Sequence, residues 1–191
     1  MSRSARVLAP AEVRRLLACA RRSPANKRNT VVVYLSFRAG LRACEIAGLT
    51  WEMVTMPDGR LSETIEVAGT IAKNGRARRI PIHPELRASL TELRRTEGPR
   101  DGPVIRSRRG SHMTPRSIVN WFAAIYAELG YVGCSSHSGR RTFVTQAARL
   151  VAKAGGSLRD VQELAGHRAL STTERYIEGD REAQRKLVRL L

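Results

Sequence analysis

The sequence predicts an α+β domain that is mostly α-helical, with a small three-stranded antiparallel sheet set between helices. Three observations point to it. Apolar residues recur at helical spacing through most of the 191 residues; the stretch 50–82 breaks that period into short runs divided by turn residues; and no repeat or low-complexity linker divides the chain. Pro10 suits a first helical position, and Val13, Leu16, Leu17 and Ala20 follow it at i, i+3, i+4 and i+7. A more apolar helix is expected over 29–37, ending near Gly40, and a short one over 42–47. Strands are expected over 51–55, 61–71 and 77–82. Pro57-Asp58-Gly59 turns between the first two and Asn74-Gly75 between the last two, because both residues of Asn-Gly tolerate positive φ. Helical spacing returns after Pro84 with Leu86, Leu90 and Leu93, and again with Ile118, Phe122, Ile125 and Leu129. Further helices are expected over 138–154, 157–165, 171–177 and 181–191. Ser171-Thr172-Thr173-Glu174 has the form of a capping box, which puts Tyr176 in the second turn of its helix.

Composition narrows the function. With 42% hydrophobic and 27% charged residues the chain can bury a core, so it is neither disordered nor fibrous. Its longest apolar run, 31–35, is far short of the roughly 20 residues that span a bilayer. No apolar stretch follows Arg3 and Arg6, so a secretory signal is not expected and the cytoplasm is the expected compartment. Cys19, Cys44 and Cys134 are odd in number and widely spaced. Like His83, His112, His137 and His167 they lack zinc-ligand spacing, so neither disulfide framework nor metal site is expected. The net charge is +17, from 34 basic and 17 acidic residues. Residues 1–30 hold eight basic residues and one acid, residues 71–110 eleven and four, but residues 31–70 only three and five. A GC-rich genome would explain arginine over lysine. It would not explain the shortage of carboxylates, so a polyanion, nucleic acid first, is the expected partner.

Five polar features fall at element ends, where a rigid scaffold can converge them. Arg42 opens a helix just after Gly40-Leu41; by itself it reads as a surface arginine paired with Glu45 at i+3. Lys73 precedes the Asn74-Gly75 turn and is one of only four lysines among the basic residues. Lysine can give up a proton near neutral pH when partly desolvated, whereas arginine cannot. His137 and Arg140 stand at a helix entrance, with Ser138 a plausible cap, where a phosphate is readily faced. Gly166-His167 follows an amphipathic helix, as a glycine cap and a helix-end histidine would. Tyr176 on a short amphipathic helix reads by default as half-buried packing.

The ordered set is more specific than its members. Arginine after Gly-Leu, lysine before a turn, H-x-x-R, Gly-His and a tyrosine nine residues on, within the phrases AGLRACEIAGLTW, HSGRRTF and LAGHRALSTTERY, resemble the tyrosine recombinase (phage integrase) family. The resemblance spans nearly the whole chain. It implies a site-specific recombinase that cuts and rejoins duplex DNA through a covalent 3′-phosphotyrosine, without metal, nucleotide or other cofactor. Tyr176 would be the nucleophile and Arg42 and Arg140 the clamp on the scissile phosphate. Lys73 would be the general acid, and His137 and His167 would handle protons or orient the phosphate. Arg76, Arg78, Arg79 and Arg141 are the expected DNA contacts.

The catalytic domain is expected over 1–180. A tail over 181–191 carries an apolar stripe, Ala183, Leu187, Leu190 and Leu191, that folds back in cis or docks on a neighbouring protomer in trans. The expected assembly is a homotetramer on two sites with inverted half-sites, monomeric in solution. Two departures from the family pattern fall near the site: Arg141 stands where a histidine is usual, and Ser138-Gly139 replaces Asp-Leu. A third is that the family's N-terminal core-binding domain is expected to be absent. A non-catalytic DNA-binding relative and a type IB topoisomerase-like enzyme relaxing strands are the competing readings.

Overall fold

The computed structural model describes residues 5–97, 101–107 and 109–176, with Arg185, Val188 and Arg189. Helix α1 (Pro10–Arg22) starts on its proline, and the Glu12 carboxylate accepts from the Ala9 N–H at 2.9 Å, satisfying one donor of the helix entrance. Helix α2 (Asn26–Arg38) buries every residue from Asn29 to Phe37 and is the central helix, packed against α1 and two helices that come later in the chain. The expected range 29–37 is this buried part. The helix starts earlier because its first turn, Asn26-Lys27-Arg28, is polar and carries no apolar period. Helix α3 (Ala43–Gly48) follows a loop through Gly40.

The sheet has two strands, not three. Strands β1 (Thr64–Val67) and β2 (Arg78–Pro81) pair antiparallel with Ile65 opposite Ile80 and Glu66 opposite Arg79. The expected first strand, 51–55, is a 3-10 turn (Trp51–Met53) that keeps only an isolated bridge from Thr55 to Leu61. Tertiary bonds decide this against strand propensity: the Trp51 N–H donates to the Gly102 carbonyl at 2.9 Å, and the Trp51 side chain is buried. Nor does Asn74-Gly75 join the strands as a tight hairpin. It lies inside a longer loop, 68–77, that closes on itself through bonds such as Gly75 N–H to Ala72 O at 3.0 Å.

Helix α4 (Pro84–Glu97) lies on α2. Helix α5 (Pro115–Glu128) is capped by Thr114, whose hydroxyl accepts from Ser117 N–H at 3.1 Å. Helix α6 (Ser138–Leu150) crosses α2 and tightens into a 3-10 turn over Val151–Ala154. Their crossing is close. A Cβ on Gly139 would lie 2.1 Å from Ser36 Oγ and 2.8 Å from Phe37 Cδ2, so the crossing excludes a larger residue there. Helix α7 (Leu158–Ala165) is capped by Ser157 and Asp160 and ends on Gly166 at φ 63°. Helix α8 (Leu170–Glu174) begins one residue before the expected Ser171, with Thr172 N–H closing its first turn on Ala169 O. It is too short to include Tyr176, which sits in the following turn.

The main core gathers around α2. A smaller cluster of Val144, Val161 and Ala165 between α6 and α7 carries Tyr176 against its side. Among the described residues no helix is long and apolar enough to cross a membrane, and no group of three or more His, Cys, Asp or Glu could hold a metal. The stripe Ala183, Leu187, Leu190 and Leu191 lies outside the described residues.

Candidate active site

The site is built outward from a buried arginine. Arg140, on the first turn of α6, is 3% exposed and donates to Gly40 O at 2.8 Å and Ala165 O at 2.5 Å. Burial and the Arg42 charge beside it pull its pKa down to about 10, which leaves it protonated at neutral pH. Arg42, the residue that enters α3, bonds Glu45 twice: Nη1 to Oε1 at 3.1 Å and backbone N–H to Oε2 at 2.8 Å. Glu45 has no exposed surface and also takes both terminal nitrogens of Arg78, at 2.9 and 3.0 Å. Burial alone would raise its pKa. The Arg78 and Arg42 bonds outweigh that and hold it below the usual carboxylate range.

Arg78, expected as a DNA contact beside Arg76 and Arg79, is thus not on the surface as they are. Its side chain is 7% exposed and spans Glu45 and the Leu164 carbonyl. Strand alternation carries the reason, since Arg78 and Ile80 share the inward face of β2 while Arg79 points out to Glu66. Counting back by two from Ile80 is the signal that would have found it.

His167 follows Gly166, whose φ lies in the left-handed region and where a Cβ would press on Arg78 Cδ at 2.9 Å. Its Nδ1 lies 2.9 Å from the Thr173 hydroxyl, and Gln162 Nε2 donates to its carbonyl at 3.1 Å. Burial, then the charges of Arg140, Arg42 and Arg78, push its pKa down to about 4, so the ring is neutral at physiological pH. Tyr176 stacks on it with ring centroids 5.5 Å apart and planes 22° off parallel. The Arg141 guanidinium carbon lies over the Tyr176 ring, 5.5 Å from its centroid. His137 caps α6 by position and is exposed. Partial burial of its ring, with Lys73, Arg42 and Arg140 nearby, lowers its pKa. Lys73 stands exposed on the 68–77 loop.

One cavity of about 650 Å³ is lined by all six expected catalytic side chains, Arg42, Lys73, His137, Arg140, His167 and Tyr176, with Arg141 and Arg168 beside them and no carboxylate among the described residues of its wall. Five separate segments of the chain supply them, and the resulting field suits a monoanionic phosphodiester. The phage integrase family matches residues 6–182. The chain belongs to this family. The tyrosine recombinase XerC of Pseudomonas putida (strain W619) is 33% identical over 158 residues, covering 81% of this chain and 49% of that protein. XerC of Mesorhizobium japonicum is 32% identical over 154 residues, covering 78% and 46%. The chain thus spans about half the length of these curated relatives. Among solved structures, the Tn1549 transposon integrase in complex with a circular intermediate DNA superposes with a TM-score of 0.78 at 18% identity, covering 98% of this chain and 66% of that one. The XerA recombinase gives 0.73 at 21%, covering 95% and 63%. These likenesses show the fold.

Within that fold, both departures near the site have a physical setting. Gly139 sits where α6 meets α2 with no room for a side chain, and Arg141 covers Tyr176. Sequence reasoning missed three residues that shape the integrase-family site. Glu45 reads as a simple helix-start pair but joins two arginines; Thr173 holds His167; and Arg168 lines the cavity while donating to Asn74 O at 3.3 Å. No local pattern marks the last two. A second cavity of about 510 Å³ shares His167 and Arg168 with the first and is lined by Arg76, Arg79 and Arg159.

Proposed function

We propose that this chain is the catalytic part of a site-specific recombinase acting on duplex DNA. The observation that carries the reading is the one cavity that gathers four arginines, a lysine, two histidines and a tyrosine, with no carboxylate among the described residues of its wall. The Tyr176 hydroxyl attacks the scissile phosphorus, forming a tyrosine–phosphate bond at the 3′ end, while the bond to the 5′ oxygen breaks. Arg42 and Arg140 hold the non-bridging oxygens. Arg140 is fixed by two backbone carbonyls and Arg42 by Glu45, so the charge that builds on those oxygens meets donors already in place.

Lys73 gives a proton to the leaving 5′ oxygen, and its place on a loop rather than a helix lets it reach a strand end. His137 and His167 are both held below the ordinary histidine pKa and so act as neutral rings near pH 7. In this reading the Thr173 hydroxyl, 2.9 Å from Nδ1, donates to it, so that His167 presents an Nε2–H donor to the phosphate. His137, which lines the same cavity, accepts the phenolic proton in this reading. Rejoining is the reverse attack by a 5′-hydroxyl, and the phosphotyrosine stores the bond energy in between.

DNA runs from this cavity over the second one, where Arg76, Arg79, Arg159 and Arg168 meet backbone phosphates. Pairs of protomers on inverted half-sites, joined as a tetramer, and action on DNA in the cytoplasm complete the proposal. Nicked suicide duplexes from the source locus test it. The wild type is expected to leave a denaturation-resistant protein–DNA adduct and Tyr176→Phe none. Salt-sensitive binding with no adduct from the wild type would instead favour a non-catalytic DNA-binding relative.

A further inference from the structure

We propose that Arg141 is a positioning residue for Tyr176, fixing the nucleophile's ring against His167, rather than a contact to a DNA phosphate. What that does to cleavage rests on the function proposed above; the placement itself does not.

The turn that carries Tyr176 is weakly determined by its own helix. Helix α8 ends at Glu174, and the backbone of Tyr176 is tied by its N–H to Thr173 O at 3.0 Å and by its carbonyl to the Thr145 hydroxyl at a long 3.5 Å. The ring is only partly buried, against the small cluster between α6 and α7. A side chain so held is oriented by what lies on its ring, and among the described residues His167 at 5.5 Å and Arg141 at 5.5 Å do. These two differ in rigidity. His167 is 4% exposed and pinned through Nδ1 to Thr173, so it moves with the same turn as Tyr176. Arg141 comes from a separate element, the first turn of α6, where its N–H donates to His137 O at 2.9 Å.

Alongside the long Thr145 bond to its backbone and the packing on Val144, Arg141 is therefore the charged group that ties the nucleophile's ring face to the helix bearing Arg140. A guanidinium over a ring face attracts the ring's negative quadrupole and keeps that face from turning. The neighbouring position on the same turn holds the phosphate clamp, so one turn of α6 sets the distance between the clamp and the attacking oxygen. A misplacement of about 1 Å between such groups is enough to cost about a hundredfold in rate. Histidine at position 141 has a shorter reach and a pH-dependent charge. Arginine makes the tie permanent.

Two measurements on the full chain test this, one without DNA. With labelled tyrosines, four sets of ring signals are expected, from Tyr34, Tyr126, Tyr131 and Tyr176, and Tyr176→Phe identifies the last. Arg141→Gln is expected to shift the Tyr176 ring signals and leave the other three in place, which also reports that the fold is intact; Arg141→Lys should shift them less. Unmoved Tyr176 signals in Arg141→Gln overturn the proposal.

The second measurement is the rate of adduct formation on nicked duplexes. Arg141→Gln is expected to lower it about tenfold at saturating DNA, or about 1.4 kcal/mol at the conversion of tenfold per 1.36. The DNA concentration at half saturation should hold within about twofold, and Arg141→Lys should recover part of the rate. An unchanged rate at saturation, with weaker binding and a salt slope smaller by about one, would make Arg141 a phosphate contact and overturn the proposal. Tyr176 signals that move while the wild type forms no adduct would uphold the positioning role and overturn the recombinase reading.

Discussion

The two sides of the cavity are held in different ways. On one side Arg140, Arg42 and Glu45 are buried or nearly so, and each polar group ends on a partner: a backbone carbonyl, a carboxylate or a guanidinium. On the other, Lys73 is exposed on a loop and Tyr176 sits in a turn beyond a five-residue helix. The groups proposed to hold the phosphate are thus preorganised by the fold, and those proposed to move a proton or make a bond are left room to move. Stability and chemistry should therefore separate by residue.

Lys73→Ala should show the separation most sharply. Adduct formation is expected to slow by about 10²–10⁴-fold, the range for loss of a general acid, while the unfolding free energy in urea stays within about 0.5 kcal/mol of wild type. A marked loss of stability would mean that the loop belongs to the scaffold. Glu45→Ala tests the opposite side: it leaves Arg78 buried without its carboxylate, so equilibrium unfolding should record a loss of about 3–5 kcal/mol. If the protein proved as stable as wild type, the buried side would not be the anchor described. Gly139→Ala, which forces a methyl group onto Ser36 and Phe37, should cost about 1–3 kcal/mol by the same assay.

The pH dependence of stability sharpens the contrast further. His167 has a folded pKa of about 4 against an ordinary value of 6.5. The unfolded chain therefore takes the proton first. The stability from burying a neutral ring is fully present above about pH 6.5 and falls as the pH drops toward about 4. Denaturation midpoints between pH 7.5 and 4.5 should show this slope, and His167→Gln should flatten it. The smallest effect is expected at the rim, where Arg76→Gln should weaken binding to all DNA sequences alike and lower the salt slope by about one. A loss confined to one sequence would assign Arg76 to base readout.

Much of this division was legible in the sequence. The six residues expected at the site belong to the ordered set that carries the family resemblance, and the heart of the buried run of α2 is visible as the apolar stretch 31–35. What was not legible depends on pairs far apart in the chain. The strand expected at 51–55 was displaced by a bond from Trp51 to Gly102, and Thr173 gained its role only because the turn after Gly166 brings His167 back beside it. Arg78 was misplaced for another reason. Three arginines in four residues read as one basic cluster, yet pleating sends the middle one inward. Tyr176 falls outside its expected helix because a capping box marks a start and not an end: the helix stops at Glu174, two residues before it.

The C-terminal end of α7 deserves a reading of its own. Its last carbonyls, which no residue of the helix can satisfy, accept from Arg78 at Leu164 and from Arg140 at Ala165, and a third carbonyl, at Gly40, completes the set around Arg140. Any amino acid supplies a carbonyl, so this role depends on where the helix stops and not on the side chains of Leu164 and Ala165, which packing against the two cores fixes separately. Transplanting the site into another scaffold would accordingly fail if only the six side chains were moved. The graft would have to carry a helix ending and a loop with it, parts that have a position but no residue letter.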